Sequence, residues 1–125
     1  MIRKILIVED LEICTATLEI ALLKVPGLIV KSATSAEQAL RLMADGDGDI
    51  AALITDIHLP KMDGFQLIER VRSQPRFDHL PILVISGDSD PNTPRRLQAL
   101  GADAYYLKPY SPAEVRQKIE ELINA

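Results

Sequence analysis

Short apolar runs alternate with longer stretches of helical spacing along the whole chain. The runs are Ile5 to Val8, Leu28 to Val30, Ile50 to Thr55, Ile82 to Ile85 and Ala104 to Leu107. Each is three to six residues long and most are rich in β-branched side chains, which predicts buried strands rather than helices. Between them, Cys14, Leu18, Ala21, Leu22 and Val25 form one helical stripe, ended by Pro26-Gly27. Ser35-x-x-Gln38 reads as a capping box before a helix with Ala36, Ala39, Leu40 and Met43 on its apolar face. Asp63 can cap a helix that turns Leu67, Ile68 and Val71 inward. Thr93-Pro94 reads as an N-cap and first helical residue, and that helix closes at Gly101. Ser111-Pro112-x-Glu114 opens the last helix, with Val115, Ile119 and Leu122 on its face.

The predicted order is βαβαβαβαβα. Continuous apolar strands alternating with helices imply an α/β fold, a doubly wound parallel sheet with helices on both faces. Right-handed crossovers leave few topologies, and ligands then sit beyond the carboxyl ends of the strands. Nothing interrupts the pattern, so residues 1–125 are expected to form a single domain.

Composition narrows the picture. The chain is 47% hydrophobic and 26% charged, enough apolar side chain for a core and too little net charge for disorder. Fourteen basic residues against eighteen acidic ones leave −4, which disfavours a nucleic-acid or anionic-membrane surface. One cysteine, Cys14, cannot close an internal disulfide or build a Cys-based zinc site, so a reducing compartment fits. Ile5 to Val8 is too short for the roughly 7–15 apolar residues of a signal peptide. No run approaches the ~20 residues of a membrane span, so a cytoplasmic protein is expected.

The residues that follow the strands carry the chemistry. The first strand runs into Glu9-Asp10, the third into Asp56, the fourth into Ser86 and the fifth into Lys108. Three carboxylates on one rim repel one another, and a hard divalent cation relieves them. A few carboxylates plus waters around an octahedral ion is the arrangement Mg²⁺ prefers. A hydroxyl and an ammonium nearby can bind phosphoryl oxygens, and Asp56 is then the natural nucleophile, forming an acyl phosphate.

Four stretches sharpen this reading: Ile7 to Asp10, Thr55 to Gly64, Ile85 to Gly87, and Gly101 to Tyr110. In that order and spacing the whole chain resembles the receiver domain of two-component response regulators. The resemblance implies a flavodoxin-like (βα)5 fold with strand order 2-1-3-4-5. It implies that Glu9, Asp10, Asp56 and the main-chain carbonyl of His58 hold Mg²⁺. It also implies that Asp56 accepts phosphate from the phosphohistidine of a sensor histidine kinase or histidine phosphotransfer protein. Ser86 and Lys108 would contact the phosphoryl oxygens, and Ser86 and Tyr105 would form the switch. Lys108-Pro109 is expected to be a cis peptide on the same ground. The output surface would be the fourth helix, fifth strand and fifth helix, which in the family often pairs two copies. The chain ends soon after the fifth helix, so no DNA-binding or catalytic output domain is expected within it.

Plainer roles compete at several positions. Glu9-Asp10 can serve as helix caps, but the other strand-end residues favour a metal role. Of Tyr105 and Tyr106, which alternate on one strand, Tyr106 is expected in the core and Tyr105 at the switch. His58 and His79 do not pair as metal ligands, and Cys14 packs as a small apolar residue. Asp45, Asp47, Asp49 and Asp56 imitate a calcium loop, but its sixth position is Ile50 instead of glycine. Gly46-x-Gly48-x-x-Ala51 precedes a strand, so it is no dinucleotide fingerprint. A phosphatase of the haloacid-dehalogenase type would need its nucleophile motif on the first strand and a cap domain. A phosphorylation-independent pseudo-receiver would usually lack one of the functional residues, all of which are present. The segment Asp88 to Pro94 is acidic and proline-rich, and is expected to delay the fourth helix to about Thr93 and to stay mobile.

Overall fold

The computed structural model describes residues 3–45 and 50–124. Five strands and five helices alternate: β1 (Arg3–Val8), α1 (Glu12–Leu22), β2 (Leu28–Ala33), α2 (Ala36–Ala44), β3 (Ile50–Thr55), α3 (Gly64–Arg72), β4 (Ile82–Ser86), α4 (Thr93–Leu100), β5 (Ala104–Leu107) and α5 (Pro112–Ile123). A short 3₁₀ turn, Pro75–Phe77, precedes β4. The sheet is parallel throughout, in the order β2-β1-β3-β4-β5. This is the flavodoxin-like fold expected from the sequence.

Strand alternation divides the core between the two faces. Leu6, Val8, Leu53, Ile82 and Val84 pack with Ala36, Met43, Leu67, Ile68 and Leu97 from α2, α3 and α4. Ile5, Ile7, Ile54, Leu83 and Ile85 pack with Leu18, Leu22, Val115 and Ile119 from α1 and α5. Both faces of β5 are covered, so Tyr105 and Tyr106 are each half-buried, one in each layer. The expectation of one core tyrosine gives way to a shared arrangement, because a doubly covered sheet has two interiors.

Helix ends follow their sequence signals with three differences. α1 stops at Leu22, leaving Val25 half-buried outside it, and Gly27 takes the left-handed conformation at φ 81°. Only half of the expected box forms at Ser35, whose side chain accepts from the Gln38 N–H. The Gln38 side chain instead accepts from the Thr34 N–H at 2.9 Å. A complete box forms at Asp63 and Gln66, each side chain accepting from the other's backbone.

Thr93 is not an N-cap. It is the first residue of α4, Asn92 holds the cap position without a side-chain bond, and Pro94 lies inside the first turn. Ser111 caps α5 as expected, by accepting from the Glu114 N–H at 3.2 Å. No helix of the described residues is long and apolar enough to cross a membrane. Of the segment weighed as a calcium or dinucleotide loop, residues 46–49 lie outside the described residues.

Candidate functional site

The sheet delivers the site residues by continuing its ladder past the strand ends. The Asp56 N–H donates to the Val8 carbonyl at 3.0 Å, Glu9 to Ala33 at 3.0 Å and Lys108 to Ser86 at 2.8 Å. Each residue is thereby fixed in register with the strand beside it. The loop after β3 folds tightly over Asp56, with the Gly64 N–H donating to the Ile57 carbonyl at 2.8 Å. A Cβ on Gly64 would collide with the Asp56 carbonyl oxygen and lie 2.7 Å from the Ile57 Cα. Glycine is required here by close approach, since α3 begins directly against the strand end.

Asp56 and Glu9 are 5% and 1% exposed, whereas Asp10 is open to solvent. One Asp56 oxygen, Oδ1, accepts from the Ile57 and His58 N–H groups at 2.6 and 3.2 Å. The other, Oδ2, accepts from Lys108 Nζ at 2.9 Å, and the same ammonium donates to Glu9 Oε2 at 3.1 Å. Glu9 Oε1 accepts from the Leu11 N–H at 3.1 Å. The cap position of α1 falls to Leu11, which has no side-chain cap bond, so capping does not account for Asp10.

Burial and this network set the charges. Burial pushes the Glu9 carboxyl up to about 7; Lys108 opposes the rise and the Asp56 charge adds to it. Burial acts the same way on Asp56, but the Lys108 hydrogen bond, the His58 N–H and the Lys108 charge outweigh it. The Asp56 carboxyl is held below the usual carboxylate range. Burial disfavours the Lys108 ammonium, yet its bonds to Asp56 and Glu9 win and raise its pKa.

Glu9, Asp10 and Asp56 offer carboxylate oxygens that lie within 4.8 Å of one another. That spacing and that hard, all-oxygen donor set fit a small divalent cation, with Asp10 on the open side. Beside it a cleft of about 340 Å³ runs between Glu12 and Thr15 of α1 and Ser32 to Thr34.

Ser86 is fully buried at the end of β4, and its Oγ accepts from the Asp88 N–H at 3.2 Å. Asp88 is the residue that sequence reasoning missed. Its carboxylate accepts from the Asp90 N–H at 2.9 Å and from Thr93 Oγ1 at 3.0 Å. Its carbonyl accepts from the Tyr105 hydroxyl at 2.7 Å. Asp88 therefore joins Ser86, Tyr105 and Thr93 at the start of α4, while its second carboxylate oxygen closes the loop on Asp90. The signal was legible as Asp88-x-Asp90-x-Asn92, two successive turns in which each Asp side chain accepts from the N–H two residues on. The segment expected to be mobile is thus internally bonded. The Lys108-Pro109 peptide is cis. His58 and His79 are both exposed, Cys14 is half-buried, and neither histidine belongs to the acidic cluster.

Comparison with known proteins agrees with this geometry. The family model for the response regulator receiver domain matches residues 5–120. The chain is 36% identical over 120 residues to the gliding motility regulatory protein of Myxococcus xanthus, covering 95% of this chain and 15% of that protein. It thus spans a small part of that relative's length. It is 32% identical over 111 residues to the two-component response regulator ORR13 of Oryza sativa, covering 89% and 90%. A crystal structure described as a response regulator from Chloroflexus aurantiacus superposes with a TM-score of 0.90 at 31% identity, covering both chains fully. The chain belongs to the response regulator receiver domain family, the phosphoacceptor signalling modules of two-component systems rather than enzymes.

Proposed function

We propose that residues 1–125 form one receiver domain in which Asp56 accepts a phosphoryl group from the phosphohistidine of a sensor histidine kinase or histidine phosphotransfer protein. The observation that carries this reading is the state of Asp56. Its carboxylate is buried at a strand end, ionised, oriented by two backbone N–H groups, and set beside two more carboxylates and a lysine. An Asp56 carboxylate oxygen attacks phosphorus, the O–P bond forms, the P–N bond to the donor imidazole breaks, and that nitrogen leaves with the electron pair.

Glu9, Asp10 and Asp56, together with the His58 main-chain carbonyl, are the residues that would hold Mg²⁺. Bound there, the ion supplies charge neutralisation for the transferring phosphoryl oxygens. Lys108 exchanges its present bonds for a phosphoryl oxygen, and the Ser86 hydroxyl donates to another. Movement of Ser86 draws on Asp88, and through it on Tyr105 and α4. The α4-β5-α5 face is then the output surface and a candidate homodimer contact, in a cytoplasmic protein with no nucleic-acid-binding surface of its own.

Beryllofluoride binding followed by fluorine NMR tests the reading. A bound signal is expected with Mg²⁺ in the wild type and none in Asp56→Asn. An equal signal in the variant would overturn the assignment.

A further inference from the structure

The two ends of α4 are held in different ways. At the C-terminal end, Gly101 closes the helix at φ 94°, and a Cβ there would press on the Arg72 side chain at 3.1 Å. The Arg72 guanidinium reaches across from the end of α3. Its Nη2 donates to the Gly101 carbonyl at 2.7 Å and to the Asp103 carboxylate at 3.4 Å. Its Nη1 donates to the carbonyls of Phe77 and Asp78 at 2.7 and 3.2 Å. Asp103 is itself locked to β4, accepting from the Ile82 N–H and donating its own to the Ile82 carbonyl, both at 2.8 Å. One planar fork, its side chain only 18% exposed, thus welds the end of α4 to α3 and to the start of β4.

The N-terminal end has no such weld. Asn92 gives α4 no side-chain cap, and the first turn is tied to the site through Asp88 alone of the loop carboxylates, by its bond to Thr93. Midway, the Arg96 guanidinium carbon lies over the Phe65 ring, 3.7 Å from its centroid, a contact without the directional demand of a hydrogen bond.

We propose that Arg72 is a positioning residue for the switch. It pins the C-terminal end of α4, so that displacement of Asp88 emerges as a tilt of the helix about Gly101. The tilt reshapes the groove of about 240 Å³ bordered by Pro94, Leu97, Gln98 and Tyr105. The source of the displacement rests on the function proposed above, whereas the pinned end is a property of the fold.

Hydrogen exchange across residues 88–103 tests this in two arms. In the first, Asp88→Ala removes the carboxylate bonds without any phosphoryl analogue. Exchange should rise about fivefold or more over residues 88–96 and by under about twofold over 98–103. Introduced into Arg72→Lys, whose ammonium cannot span the four oxygens, the same substitution should accelerate both segments. Asp103→Asn, which weakens one arm of the fork, should give the same spread at smaller amplitude, and serves if Arg72→Lys fails to fold. A purely structural role for Arg72 would raise exchange with and without Asp88→Ala alike and leave the difference between them unchanged. The second arm replaces Asp88→Ala with beryllofluoride and Mg²⁺, with the same segments expected to respond. Acceleration of residues 98–103 in the Arg72 background, or an unaltered difference pattern in Arg72→Lys, overturns the pin. Failure of beryllofluoride to bind counts against the Asp56 reading, and the first arm still decides the role of Arg72.

Discussion

The Lys108 ammonium lies 2.9 Å from Asp56 Oδ2, and this ion pair is the electrostatic hinge of the site. The same nitrogen bridges to Glu9 at 3.1 Å, so one cation answers two buried carboxylates. Any group that binds Asp56 must either displace the ammonium or recruit it.

Lys108→Ala should therefore act on stability and on switching more than on phosphoryl uptake. Leaving two buried carboxylates without their partner should cost on the order of 1–3 kcal/mol, part of it recovered as Glu9 takes up a proton. Urea unfolding measures the cost. At matched beryllofluoride occupancy, the exchange changes over α4 and β5 should be weaker than in the wild type, because the lysine binds the loaded state preferentially. Equal changes in both proteins would show that Lys108 takes no part in the switch.

Cation binding should depend on pH through Glu9. Its carboxyl titrates at about 7, so below that pH the ion must displace a proton, and affinity should fall by up to about tenfold per pH unit. Without the ion the sign for stability is opposite. The folded state holds the Glu9 proton more tightly than the unfolded chain, so this group's contribution declines as pH rises from the ordinary glutamate range through about 7. Asp56, held low, contributes stability that is lost only as pH falls through and below the usual aspartate range. Calorimetric Mg²⁺ titrations and denaturant melts of wild type and Glu9→Gln check both signs. An unchanged pH dependence in Glu9→Gln would remove Glu9 from the account.

Gly64→Ala should destabilise the fold by about 1–3 kcal/mol or more, because the added methyl meets backbone at Asp56 and Ile57. Thermal melts settle it. A variant as stable as the wild type would mean that the loop over Asp56 yields freely.

In the absence of metal, Asp10→Asn should leave stability unchanged or raise it slightly. Asp10 adds to the repulsion among three carboxylates and does not hold the α1 cap position. A clearly less stable variant would restore the capping role.

The parallel sheet was legible because buried parallel strands are written as unbroken apolar runs, as in Ile5 to Val8 and Ile82 to Ile85, whereas its strand order came only from the resemblance to receiver domains. The residues that end those runs were legible for the same reason, since the ladder carries them to one rim. Side-chain choices among near-equal partners were not. Thr93 had the profile of an N-cap, but its hydroxyl found the Asp88 carboxylate, which two consecutive Asp turns had brought within reach. Gln38 had the spacing to close a box on Ser35, yet the Thr34 N–H was the better-placed donor. Nor does any local pattern encode the Arg72 fork, whose partners at Gly101 and Asp103 lie 29 and 31 residues further along the chain.

The central claim is that Asp56 is the phosphoacceptor. Incubation with acetyl phosphate and Mg²⁺, followed by peptide mass spectrometry, tests it most directly. The account predicts one phosphoryl group on the peptide carrying Asp56, absent in Asp56→Asn and absent in chelator. Labelling that persists in either case, or that falls on another residue, would contradict it.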